Sequence, residues 1–131
     1  MIQYNVLERN GGREMVILVV DNDMENLCNL EQWIKACRSE DEIISFSDSV
    51  LALEYIEEHE VDILFTEVKM AGATGFILTK HLKNKNNNSY VIFMTDSPTY
   101  AMNAWEAHVN GYVLKPLNQN KIEVELEYAD V

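Results

Sequence analysis

The chain has 131 residues, the length of one domain with a single buried core. Its 22 acidic and 10 basic side chains leave a formal net charge of -12, so direct DNA or RNA binding by this domain is not expected. No apolar run approaches the ~18–20 residues of a bilayer span. Its first residues do not show the charged-then-apolar pattern of a secretory signal, and two cysteines without metal spacing fit a reducing cytoplasm.

Residues 1–14 contain the turn signal Asn10-Gly11-Gly12 and read as an N-terminal extension. A domain over 15–131 follows, and Met15 could serve as its start. "MVILVV" (15–20) is the first strand, ending in the acidic turn Asp21, Asn22, Asp23. Leu27, Leu30, Ile34 and Cys37 then recur at helical spacing, with Asp23 as a candidate N-cap. Cys28 and Cys37, nine apart on that helix, fall on opposite faces and are not expected to pair.

"EIISF" (42–46) is the second strand, and Ala52, Leu53 and Ile56 stripe the helix after it. "VDILFT" (61–66) is the third, running into Glu67, with Leu78 and Leu82 on the next helix. A polar connector, "NKNNNS" (84–89), leads to "YVIFM" (90–94), which ends in Thr95. Ala101, Ala104 and Trp105 mark the fourth helix, and Trp33 and Trp105 are expected to pack in the core or between helices. "GYVLK" (111–115) is the last strand, followed by Pro116. A final helix from 118 to about 129 would be capped by Asn118 and bury Ile122 and Leu126. His59, His81 and His108 share no spacing and are expected on the surface.

The strands are rich in Val, Ile, Phe and Tyr and nearly continuous, as strands covered on both faces are. Five alternating β-α units imply an α/β fold with a parallel sheet, right-handed crossovers and helices on both faces. Ligands of such sheets sit at the carboxyl ends of the strands. Asp21, Asn22, Asp23, Glu67, Thr95 and Lys115 would converge there. Carboxylates suit a Mg²⁺ ion, while a hydroxyl and an ammonium suit phosphoryl oxygens.

The acidic turn after "ILVV", the strand "DILFTEVKM" with "GATGF" behind it, "VIFMT" and "YVLKP" together resemble the receiver domains of two-component response regulators. The stretch "TYAMNAWEAHVNGYVLKPL" is most similar to receivers that precede a LytTR-type DNA-binding domain. The resemblance implies the flavodoxin-like strand order 2-1-3-4-5. It also implies a histidine kinase as phosphodonor, and homodimerisation through helix 4, strand 5 and helix 5. Carried over residue by residue, Glu67 takes the phosphoacceptor position, and Asp21 and Asn22 the acid pair. The metal would be held by Asp21, Glu67 and the carbonyl of Lys69. Thr95 becomes the switch hydroxyl, Tyr112 the switch aromatic and Lys115 the phosphoryl-binding cation. Lys115-Pro116 matches a peptide that is usually cis.

Three departures alter the expected chemistry. Glu67 stands where the family has Asp, Asn22 where it has a second acid, and Ala71 where it has Pro. The extra methylene moves the acceptor carboxylate by about 1 Å, a misplacement that can cost about a hundredfold in rate. Asn22 removes a charge from the metal site. The expectation is a pseudo-receiver that takes up phosphate poorly and binds Mg²⁺ weakly. Glu67 would either imitate the phosphorylated state or form an inert pair with Lys115, with Asp23 available to swing in for the metal. A receiver that remains phosphorylatable is the alternative. "VILVVDND" also resembles the strand-Asp-x-Asp start of haloacid-dehalogenase-type phosphatases, but no later acidic motif follows Lys115.

Overall fold

A computed structural model describes residues 14–130; the expected extension, apart from Glu14, lies outside the described residues. Among the described residues, five strands alternate with five helices. They are β1 (Val16–Val20), α1 (Met24–Cys37), β2 (Glu42–Phe46), α2 (Ser49–Glu58), β3 (Ile63–Glu67), α3 (Gly75–Lys85), β4 (Tyr90–Thr95), α4 (Ala101–Glu106), β5 (Gly111–Leu114) and α5 (Gln119–Ala129). A 3-10 turn, Pro98–Tyr100, leads into α4. The strands form one parallel sheet in the order β2-β1-β3-β4-β5.

Alternation along the central strands sends side chains to two cores. Leu18, Val20, Leu64 and Phe93 face α2, α3 and α4, which contribute Ala52, Ile56, Leu78, Leu82 and Ala104. Ile17, Val19, Phe65 and Ile92 face α1 and α5, which contribute Leu27, Leu30, Ile34, Ile122 and Leu126. Full burial of a side chain such as Phe65 or Phe93 stabilises by roughly 1.5–3 kcal/mol. The edge strand β2 is only half covered, so its apolar run does not signal two buried faces.

Helix starts are set by side-chain caps. Asp23, Asp48, Thr74 and Asn118 each accept from amides of the first turn of the helix they precede. Helix ends use other groups. Lys85 Nζ donates to the carbonyls of Ile56, Glu57 and His59, closing the end of α2 from a neighbouring helix. Arg38, almost fully buried, donates to Asp41 Oδ2 at 2.9 Å, to the Leu126 carbonyl at 3.2 Å and to Asp130. It fastens the end of α5 to the end of α1.

Three expected inward positions face solvent. Trp105 is 74% exposed, and Ala101 and Cys37 are exposed as well. The 3-10 turn leaves α4 only six residues long, and of these only Ala104 reaches the core. Cys37 closes α1, where Arg38 takes the buried position instead. Trp33 does pack partly buried against the α1–α5 core. Both cysteines are free and exposed.

Candidate functional site

Register brings the strand ends together. Val20 pairs with Thr66, Glu67 with Met94 and Thr95 with Leu114, so Asp21, Glu67, Thr95 and Lys115 all emerge at the same edge of the sheet. Asp21 is fully buried. Its amide donates to the Phe46 carbonyl at 3.2 Å, and its Oδ1 accepts from the Asp23 amide at 2.9 Å. Its Oδ2 makes no regular hydrogen bond, but lies 2.9 Å from Lys115 Nζ. That contact is mainly one of charge.

Glu67 is the last residue of β3, and both its oxygens are engaged. Oε2 turns back to accept from the Val68 amide at 2.7 Å and, more weakly, from Lys69 at 3.4 Å. Oε1 accepts from Lys115 Nζ at 2.6 Å. The Lys115 amide donates to the Thr95 carbonyl at 2.8 Å, which positions the ammonium between the two acids. Burial pulls the Lys115 ammonium down, but its hydrogen bond to Glu67 and the negative charges of Asp21 and Glu67 outweigh it and raise its pKa.

The remaining sequence-predicted residues divide. Asp23 is exposed and caps α1, its Oδ1 accepting from the amides of Glu25 at 2.9 Å and Asn26 at 3.3 Å. The second carboxylate that the phosphatase resemblance needs, and that a metal rescue would need, thus serves its own helix. Asn22 is exposed and lines a shallow groove with Ser47, Asp48, Ser49, Met70, Ala71 and Gly72. Lys69 is exposed, and the Lys115–Pro116 peptide is cis. Among the described residues, no group of three or more His, Cys, Asp or Glu side chains is placed to hold a metal ion.

Thr95 and Tyr112 meet on a residue that the sequence did not single out. Buried Thr95 accepts at Oγ1 from the Ser97 amide at 3.3 Å. Tyr112 donates its hydroxyl to the Ser97 carbonyl at 2.6 Å, with its ring against Phe93. Burial pushes the Tyr112 phenol up. Ser97 caps the 3-10 turn, and Ser-Pro at 97–98 was the available turn signal. Ser49 has a similar part beneath β3. Its buried hydroxyl donates to the Ala71 carbonyl at 2.9 Å and accepts from the Ala73 amide at 3.0 Å. It pins the loop around Gly72, whose φ of 86° suits glycine.

The family model described as "Response regulator receiver domain" matches residues 17–127. A sensory transduction protein LytT of Bacillus subtilis is 28% identical over 111 residues, covering 85% of this chain and 46% of that protein. A LytT of Bacillus anthracis is 32% identical over 107 residues, covering 81% of this chain and 43% of that protein. The chain therefore spans less than half the length of these relatives. Among solved structures, the chemotaxis response regulator CheY4 of Vibrio cholerae superposes with a TM-score of 0.78 at 18% identity, covering 88% of this chain and 98% of its own. A CheY-like receiver domain protein of Methanospirillum hungatei gives 0.80 at 18% identity, covering 89% and 94%. These two likenesses bear on the fold alone.

Proposed function

Because the chain belongs to the response regulator receiver family, we propose that it acts as an atypical receiver, a regulatory and protein-binding module of two-component signalling rather than an enzyme. Glu67 fills the phosphoacceptor position and forms acyl phosphate poorly. The observation that carries this reading is the double engagement of its carboxylate, with Oε1 on Lys115 and Oε2 on the Val68 amide. A nucleophilic oxygen must be presented to the donor at the correct distance. Here attack would require breaking a charge-assisted hydrogen bond or an amide contact first.

The geometry favours a held ion pair over imitation of the phosphorylated state. An imitation would draw the Thr95 hydroxyl onto Glu67, whose oxygens bond instead to Lys115 and to the amides of Val68 and Lys69. Thr95, Tyr112, Lys115 and Pro116 keep the positions of the family's switch. Asp21, Glu67 and the Lys69 carbonyl make at most a weak Mg²⁺ site, with Asn22 withholding a charge.

The partners on this reading are a histidine kinase or another regulatory protein, and a second copy through α4, β5 and α5. Met102, Trp105, Leu114, Val124 and Tyr128 leave apolar surface exposed on those elements. No helix among the described residues is long and apolar enough to cross a membrane, in keeping with a cytoplasmic module.

The test is incubation with Mg²⁺ and a small phosphodonor, read by intact mass. The reading requires that little or no phosphoryl mass is added. Good-yield addition on Glu67 or Asp21 would establish the phosphorylatable alternative.

A further inference from the structure

We infer that Lys83 is an acyl-acceptor site: a half-buried amine, held by two neutral oxygens, that takes an acyl group from a small acyl phosphate. The site lies at the opposite end of the sheet from the pocket of Asp21, Glu67 and Lys115 and does not depend on it.

Lys83 stands in the last turn of α3. Its Nζ donates to the Ser89 carbonyl at 2.6 Å and to Asn110 Oδ1 at 3.0 Å. Ser89 closes the polar connector before β4. Asn110 precedes β5, and its Oδ1 also accepts from the Val91 amide at 2.8 Å. Both partners of the lysine are neutral, and among the described residues no carboxylate pairs with it. Other lysines are held differently. Lys115 lies between two acids, and Lys85 donates to the carbonyls of Ile56, Glu57 and His59. An ammonium has three N–H donors, whereas a neutral amine has two and a lone pair. The two acceptors around Lys83 match the neutral amine and leave its lone pair unspent. Burial pushes the Lys83 ammonium pKa down, with no acid to hold it up. A desolvated lysine biased in this way is an activated nucleophile.

Ser89 gives a second, independent sign. It is 2% exposed, and its hydroxyl has no partner among the described residues. A buried hydroxyl left so is costly. An acyl oxygen carried on Nζ is an acceptor of the kind that this hydroxyl lacks. A small reagent also has room to approach: Lys83 is only half-buried, and Asn110 lines an open groove of ≈ 520 Å³ beside Trp105.

The step is an acyl transfer. The Nζ lone pair attacks the carbonyl carbon of the acyl phosphate, and a C–N bond forms. The C–O bond to the phosphate breaks, phosphate leaves with the electron pair, and the surplus amine proton passes to solvent. The product is a neutral amide with a single N–H. One N–H cannot serve two acceptors, so acylation releases either Ser89 or Asn110. It thereby loosens the end of α3 from the approaches to β4 and β5.

The experiment incubates the whole chain with acetyl phosphate, then digests it and maps acetyl-lysine by mass over time. Lys83 should acquire acetyl at least about threefold faster than the exposed Lys35, Lys69 and Lys80. The lead should vanish when the reaction is run in urea, where no lysine is desolvated. Lys83→Arg, which keeps charge and donors, should remove the fastest site and leave the other rates unchanged. The acetylated chain should melt below the unmodified one. Equal rates at Lys83 and the exposed lysines of the folded chain overturn the inference, and so does a lead that survives in urea. An acetylated chain that melts together with the unmodified one overturns the release of α3. Phosphoryl mass is resolved from acetyl mass in the same spectra, so the proposed function is judged separately.

Discussion

Lys115 donates to Glu67 across 48 residues of chain, joining the ends of β5 and β3 over the end of the strand between them. The longer carboxylate reaches the lysine and its own following amide at once. Shortening it to Asp and returning a charge at position 22 reverses both departures. Glu67→Asp combined with Asn22→Asp should restore phosphoryl uptake from a small donor by about a hundredfold. Rates from intact mass over time measure it, and no gain would place the defect elsewhere in the pocket.

Lys115→Met should destabilise the domain by about 3 kcal/mol, because it strands the buried Asp21 carboxylate. Glu67→Gln should cost less, since Asp21 keeps its counterion. Urea unfolding of the three proteins in metal-free buffer supplies the comparison, and equal costs would mean that Asp21 is solvated after all.

Alkali should find the same contact. The Lys115 pKa is raised in the folded state, so its ion pairs contribute fully below the unfolded lysine value of about 10.4. The contribution disappears as pH climbs through the higher folded value. Wild-type stability should therefore fall more steeply above about pH 10.4 than that of Lys115→Met. Parallel curves would show that Lys115 titrates no differently in the two states.

Gly75→Ala should be costly although it sits at the start of a helix. A Cβ there would lie 2.6 Å from the Glu67 carbonyl oxygen and 3.3 Å from the Phe93 ring. Backbone cannot yield as a side chain does, and a loss of about 1–3 kcal/mol is expected. Thermal melting reads the loss; a melt equal to wild type would mean that β3 and α3 separate freely.

Much of the fold was legible because continuous apolar strands and helical stripes report burial directly. The caps by Asp23 and Asn118 were legible too, since a cap is a local event. The facing of side chains was harder. Asp23 could satisfy either the pocket or its own helix, and the amides two and three residues ahead were nearer. Trp105 shows that spacing fixes the interval between positions but not which face turns inward; the turn at Pro98 sets that. Ser97 and Ser49 act on backbone groups, so no side-chain motif announced them. Within the pocket, the residue types pointed to Lys115 beside two acids, but not to which oxygen of each acid would face it.

Trp105→Glu should abolish self-association if copies pair through α4, β5 and α5. Sedimentation at rising concentration should show wild-type dimers and a monomeric variant with an unchanged melt. A wild type that stays monomeric throughout would dispose of that interface.

The guanidinium of Arg38 has a mechanical implication. The last turn of α5 closes on a group from another helix rather than on a glycine of its own. Peeling that helix away cannot proceed as gradual fraying, because its first step breaks the Arg38 bonds to the Leu126 carbonyl and to Asp130 together, leaving Asp41 as the guanidinium's remaining counterion. Detachment of α5 should then be abrupt, with its amides exchanging hydrogen as a single cooperative block.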